Sequence, residues 1–247
     1  MTSIIDDPSK DPHEYQADSQ NQLALSKAQV VIENGGGYDD FVDTMLSSAN
    51  NPDVKVLNAA NISGIDQHPS DGSFNEHVWY DIPTVSKVVD QLTSAFSSAD
   101  AADASTFQAN ADAFKTKLQS IQDAEAAAKT DLAGKGAAIT EPVPLYMLTA
   151  MGLVNKTPEA FSEAIQNGTD VAPDILAQTL ALFSSGQVAV LAYNSQTSGP
   201  QTEAVLTAAQ TNGVAVVPVT ETLPAGKGFI SWMTSNVTAI TAAAASK

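Results

Sequence analysis

Between Pro83 and Gly134 the chain runs for fifty residues without a glycine or a proline. Uninterrupted stretches of that length are helical when apolar residues recur every three to four positions, and here they do. Val85, Val88, Val89, Leu92 and Phe96 form one such series. After a Ser/Asp/Ala-rich interval from Ser97 to Ser105, a second follows in Phe107, Ala111, Phe114, Leu118 and Ile121. Two helices are expected. The second, over 101–133, would be roughly 50 Å long at ~1.5 Å per residue, with Gly134 and Gly136 as its natural stops.

The segments on either side differ from it. The first 83 residues read as short apolar runs between loops: a short helix over Leu23–Ala28, strands at Val30–Ile32 and Val54–Leu57, and turns at Asn34–Gly37 and Asp71–Gly72. Beyond Gly136, strands and helices alternate. Strands are expected at 137–140, 187–193 and 214–219. Helices are expected at 144–151, from Pro158, at 200–211 and at 229–244. Such alternation implies parallel α/β units. The fold class is therefore α/β: two lobes with mainly parallel sheets joined by one long rigid helix. The N-terminal lobe is 1–100, the linking helix 101–133 and the C-terminal lobe 134–247.

Composition narrows the function. Twenty-eight acidic residues face 11 basic ones, all of them lysine, for a net charge of −17. That balance excludes a nucleic-acid binder, which needs basic surface, and a site that clamps phosphate through arginine. A cationic ligand suits it better. With no cysteine, disulfides, thiolate metal sites and cysteine nucleophiles are absent. No apolar run approaches the ~20 residues that span a bilayer, and Met1–Asp6 lacks the basic start and long apolar stretch of a signal peptide. Asn34-Gly35-Gly36-Gly37-Tyr38 has no P-loop lysine, and neither a Gly-x-Ser-x-Gly elbow nor a Ser-His-Asp set is visible.

In open α/β sheets ligands bind beyond the carboxyl ends of the strands. Two glutamates stand there. Glu141 follows Ala137–Thr140, and Glu221 follows Val216–Thr220; each is part of a Thr-Glu pair with a proline close behind. A glutamate in such a loop serves equally as a helix cap or a solvated charge, so the pair is a candidate only. Of the three histidines, His13 lies in Asp11-Pro12-His13-Glu14-Tyr15 and His77 in Asn75-Glu76-His77-Val78-Trp79-Tyr80-Asp81. His68 lies in Asp66-Gln67-His68-Pro69 and reads as a surface residue. None has the spacing of a one-helix metal motif.

The segments around His13 and His77 resemble the two histidine signatures of the manganese/zinc-type (cluster A-I) solute-binding proteins of metal ABC importers, some of them first described as adhesin lipoproteins. Ala28-Gln29-Val30-Val31-Ile32-Glu33-Asn34-Gly35, Tyr193-Asn194-Ser195-Gln196-Thr197 and Val219-Thr220-Glu221-Thr222-Leu223-Pro224 fit the same family in order. The resemblance runs from about Thr2 to Ala244. It implies one divalent transition metal held in an interlobe cleft by His13 and His77 from the first lobe and Glu141 and Glu221 from the second. Their separations of 64, 64 and 80 residues suit one ligand per loop. It further implies an extracytoplasmic, lipid-anchored monomer that delivers the metal to a membrane permease, with no enzymatic activity and no nucleic-acid partner. Family chains begin with an export signal and a first strand–helix unit. The resemblance here starts at what corresponds to the second strand, so that unit is expected upstream in the natural chain.

Two departures bear on the metal. The third family ligand is often histidine in zinc importers and glutamate in manganese importers, and here it is Glu141. The fourth is usually aspartate, and Glu221 is one methylene longer. Two imidazoles with two carboxylates form a harder set than three imidazoles, which favours Mn²⁺ or Fe²⁺ by ligand type, while intrinsic affinity ranks Zn²⁺ above Mn²⁺. The balance puts Mn²⁺ slightly ahead of Zn²⁺. The alternatives are a metal-dependent hydrolase using the same residues, which needs an open position for water, and a surface adhesin. On the leading reading His77→Ala abolishes tight metal binding and His68→Ala does little.

Overall fold

The computed structural model of the protein describes residues 1–5, 15, 18–70 and 72–246. The chain divides into two compact units, Met1–Leu118 and Gln119–Lys247.

In the first unit, Asp18 caps α1 (Ser19–Leu25) by accepting the Asn21 N–H at 2.8 Å. Two parallel strands follow, β1 (Val30–Glu33) and β2 (Lys55–Asn58), in the register Val30↔Lys55 to Glu33↔Asn58. Between them lies α2 (Phe41–Ala49), which Asn50 ends in the left-handed conformation. Leu25, Val31, Val42, Met45 and Ala49 form the buried core, with Ile4, Ala28, Phe41, Leu46 and Val54 packed against it. Fully burying a side chain the size of valine or methionine contributes about 1.5–3 kcal/mol. Asn58 closes β2 and caps α3 (Ala59–Ser63) through the Asn61 N–H, 2.9 Å away. A 3₁₀ turn at Val78–Tyr80 leads into α4 (Ile82–Ala99), where Asp81 accepts the Thr84 N–H at 3.0 Å and Pro83 occupies the first turn.

The stretch without glycine or proline forms α4 and α5 (Ala104–Leu132), separated by a 3₁₀ turn at Ala101–Asp103. The boundary between the two units falls at Leu118, inside α5. Gly134, at φ +83, follows its end, as the sequence predicts.

The second unit holds a four-stranded parallel sheet of order β4-β3-β5-β6, with β3 (Gly136–Ile139), β4 (Val154–Asn155), β5 (Val190–Asn194) and β6 (Ala215–Val219). Every residue of β3 and β5 is buried. Strands covered on both faces need no polar alternation, which is why 187–193 reads as one apolar run. Pro218 cannot donate to a ladder and sits in β6, an edge strand. Phe161 and Ile165 of α7 (Glu159–Gln166), Leu182 and Phe183 of α8 (Pro173–Ser184), and Val205 and Ala209 of α9 (Pro200–Thr211) pack with Ala138, Leu191 and Tyr193 of the sheet. α10 (Phe229–Ala245) lies against β5 and β6 and buries Trp232, Met233, Val237 and Ile240. α6 (Leu145–Ala150) lies against β4.

The α/β class, the parallel sheets and the long helix are as the sequence implies. Several elements differ in detail. α2, α3, α8 and the two-residue β4 are additions, while the helix expected from Pro158 is α7, with Pro158 at its N-cap. Among the described residues no helix is long and apolar enough to cross a membrane.

Candidate metal centre

His77 stands just before the 3₁₀ turn that feeds α4, and only 1% of its surface is exposed. Its Nδ1 lies 2.7 Å from Asn75 Oδ1, which also accepts the His77 backbone N–H at 3.2 Å. An amide oxygen only accepts, so Nδ1 carries the proton and the lone pair of the neutral ring sits on Nε2. That is the form in which imidazole binds a metal, with the other nitrogen held by a hydrogen-bond acceptor. Trp79 lies tilted against the ring at 5.1 Å and Tyr38 edge-on at 6.2 Å. The two aromatic rings are themselves 4.8 Å apart.

The loop after β1 supports this segment. Asn34 Nδ2 donates to the Glu76 carbonyl at 2.9 Å. Asp39 clamps the loop by accepting the Asn34 and Gly35 N–H groups, each at 2.7 Å. Gly35, Gly36 and Gly37 all have positive φ; a Cβ on Gly35 would fall 2.1 Å from Asn58 Nδ2, so only glycine fits. Glu33, buried at the end of β1, accepts from Asn58 Nδ2 at 2.8 Å. Burial pushes its carboxyl above the usual range, the Asn58 bond opposes this, and the charges of Asp43, Asp39 and Asp40 add to the rise. Burial likewise raises Asp39 against its two backbone N–H donors.

In the second unit the strand-end rule places three side chains at the carboxyl end of the sheet. Glu141 lies two residues beyond β3 and is 5% exposed; its Oε2 accepts from Asn194 Nδ2. Asn194 is the last residue of β5, and its N–H donates to Thr140 Oγ1 at 2.9 Å. Thr157 brackets the end of β3 by accepting the Ile139 N–H at 2.9 Å. Glu221 lies two residues beyond β6, with its Oε1 out of reach of solvent. Its backbone N–H and that of Thr222 both donate to Gln196 Oε1, at 2.6 and 3.1 Å.

Glu141 and Glu221 are thus joined through Asn194 and Gln196, residues the sequence reading quoted but gave no role. The same strand-end rule, applied to amides as well as to carboxylates, marks the position of Asn194 but not the group it faces. Asn75 and Asp39 carried no signal beyond their place beside a histidine and a glycine run. His77 belongs to the first unit. His13 lies outside the described residues. His68 is exposed, with its N–H on Asp66 Oδ1 at 2.9 Å. Among the described residues no three His, Asp or Glu side chains gather as a metal cluster.

Residues 1–243 match the family described as zinc-uptake complex component A, periplasmic. The chain belongs to that family. Among its relatives, the manganese-binding lipoprotein MntA of Halalkalibacterium halodurans is 28% identical over 114 residues, 46% of this chain and 37% of that protein. MntA of Bacillus subtilis is 30% identical over 121 residues, 48% of this chain and 39% of that protein. The matched stretch therefore spans well under half of either relative. Two solved structures cover nearly the whole chain. The Mn²⁺ complex of the binding protein FpvC from Pseudomonas aeruginosa has a TM-score of 0.74 at 20% identity, over 95% of this chain and 86% of that one. The periplasmic zinc-binding protein TroA from Treponema pallidum has a TM-score of 0.77 at 18% identity, over 96% and 88%. At these identities the likeness shows the shared fold of the family.

Proposed function

We propose that this chain is an extracytoplasmic solute-binding protein that captures one divalent transition metal ion and delivers it to the membrane permease of an ABC importer. His13, His77, Glu141 and Glu221 are its ligands, Mn²⁺ stands slightly ahead of Zn²⁺ as cargo, and residues 101–133 link the two lobes. The observation that carries this reading is the buried His77 ring, whose Nδ1 is held by Asn75 Oδ1 as the outer nitrogen of a metal-ligating imidazole is held. The buried carboxylate of Glu141, placed by an amide donor at a strand end, supports it, as do relatives described as manganese-binding lipoproteins. Two imidazoles and two carboxylates can fill a tetrahedral site without water, which suits a carrier better than a hydrolase. We read the protein as a lipid-anchored monomer with no nucleic-acid partner and no enzymatic activity.

The test is thermal unfolding of metal-stripped protein titrated separately with Mn²⁺ and Zn²⁺. A ligand that binds only the folded state stabilises by about 2.7 kcal/mol at a hundred times its Kd, so a saturable rise in Tm is expected. Glu221→Ala and His77→Ala should each abolish the rise. A rise that survives both substitutions places the metal elsewhere and overturns the ligand set.

A further inference from the structure

Resting on that reading of Glu141 and Glu221, we infer that Asn194 is a positioning residue that sets metal preference by holding Glu141 to one-oxygen coordination. Asn194 is fully buried at the end of β5, opposite Val219 in the ladder with β6. Its amide orientation is fixed from both sides. Oδ1 accepts the Gln196 N–H at 3.1 Å, so Nδ2, the donor end, faces Glu141 Oε2 and Thr197 Oγ1, the latter at 3.3 Å. The backbone N–H on Thr140 Oγ1 locks the residue just before Glu141 to the same point.

The amide bond takes one of the two lone pairs of Glu141 Oε2 and holds that oxygen toward Asn194, which disfavours its sharing an ion with Oε1. Gln196 takes the second glutamate in hand at its backbone: Oε1 accepts from Glu221 and Thr222, and Nε2 donates to Thr222 Oγ1 at 2.6 Å. The segment Asn194–Gln196 therefore places both carboxylates but restrains them differently. Glu141 is held at a carboxylate oxygen, and Glu221 is held at its main chain.

Coordination number separates the two metals. Zn²⁺ is satisfied by four donors in a tetrahedron, whereas Mn²⁺ belongs with the hard ions that take octahedral oxygen sets. Holding Glu141 to one oxygen restrains the site toward the lower number, and so narrows the lead that two carboxylate ligands give Mn²⁺ without reversing it. Freeing it lets both oxygens reach the ion and suits the larger one.

The experiment compares Mn²⁺ and Zn²⁺ affinities, by competition with a chelator, for the full chain and for Asn194→Ala, Asn194→Ser and Glu141→Ala, with the zinc coordination number read from X-ray absorption. Loss of an outer partner typically weakens a metal site 10- to 100-fold. For both Asn194 variants the expected outcome is a Zn²⁺ affinity about tenfold weaker, a Mn²⁺ affinity within about threefold of the parent, and a zinc coordination number above that of the parent. If Asn194→Ala does not fold, the serine variant decides on the same ratio. Equal losses for both metals, or an unchanged coordination number, would assign Asn194 a purely structural role and overturn the inference. Undiminished binding in Glu141→Ala would instead overturn the ligand set on which it rests.

Discussion

Asn75 holds His77 by its Nδ1, at 2.7 Å, and so decides which nitrogen of a buried ring carries the proton. The contact spans two residues of one loop, yet it is set from further away. Asn34 grips the Glu76 carbonyl between them, and Asp39 grips Asn34. A chain of three short hydrogen bonds thus runs from the loop after β1 to the imidazole. Asn75→Ala should release the ring to rotate and to change tautomer. The expected result is a 10- to 100-fold weaker metal affinity with an unchanged far-UV circular dichroism spectrum. Asn75→Asp, which keeps the acceptor, should recover most of the loss in a chelator competition assay.

Gly35→Ala tests the other end of that chain. At φ +71 an alanine is strained, and its Cβ would collide with Asn58 Nδ2, the group that also satisfies Glu33. Strain of this kind costs about 1–3 kcal/mol, and the collision adds to it. Tm should fall by several degrees, while Gly37→Ala, where a Cβ meets nothing within 4 Å, should lose only the strain contribution. Equal losses at the two positions would show that the crowding at Asn58 is relieved without cost.

Glu33 gives a pH signature. Its carboxyl is raised chiefly by burial, so the folded state binds the proton more tightly than the unfolded chain. Stability from this group is therefore present at low pH and lost as pH rises from the unfolded value near 4.5 through the folded one. Glu33→Gln keeps an oxygen for the Asn58 amide and removes the charge. The variant should melt above the parent at pH 7, and the gap should close toward pH 4. A gap of the same size at both values would rule out titration of Glu33 as its source.

The parts of this fold that sequence revealed are those written in apolar spacing. Val85 to Phe96 and Phe107 to Ile121 announced α4 and α5, and the apolar runs before Asn194 and Thr220 announced β5 and β6. Glu141 and Glu221 followed because strand ends are where sheets bind ligands. α2 was also written in spacing, as Phe41, Val42, Met45, Leu46 and Ala49, but it is only nine residues long and sits between a glycine run and Asn50, among loops that made it read as irregular. Asn75, Asn194 and Gln196 were illegible for a different reason. An amide carries no charge and fits no spacing rule, and its value comes from which group it faces after folding. Asn194 becomes informative only once β3 and β5 are side by side and Thr140 and Glu141 stand opposite it.

Asp81 connects the stability of a helix to the placement of His77. It ends the 3₁₀ turn that begins at Val78 and caps α4, accepting the Thr84 N–H at 3.0 Å and the Thr84 hydroxyl at 2.5 Å. Loss of an N-cap costs about 0.5–2 kcal/mol, which for a chain of this size lowers Tm by roughly 2–4 °C per kcal/mol. Asp81→Ala should show that loss in a thermal melt and also loosen the turn four residues from the imidazole, so metal affinity should fall. Asp18→Ala, at the N-cap of α1, should cost similar stability without touching affinity. If both variants weaken metal binding equally, the coupling runs through global stability; if only Asp81→Ala does, it runs through the turn.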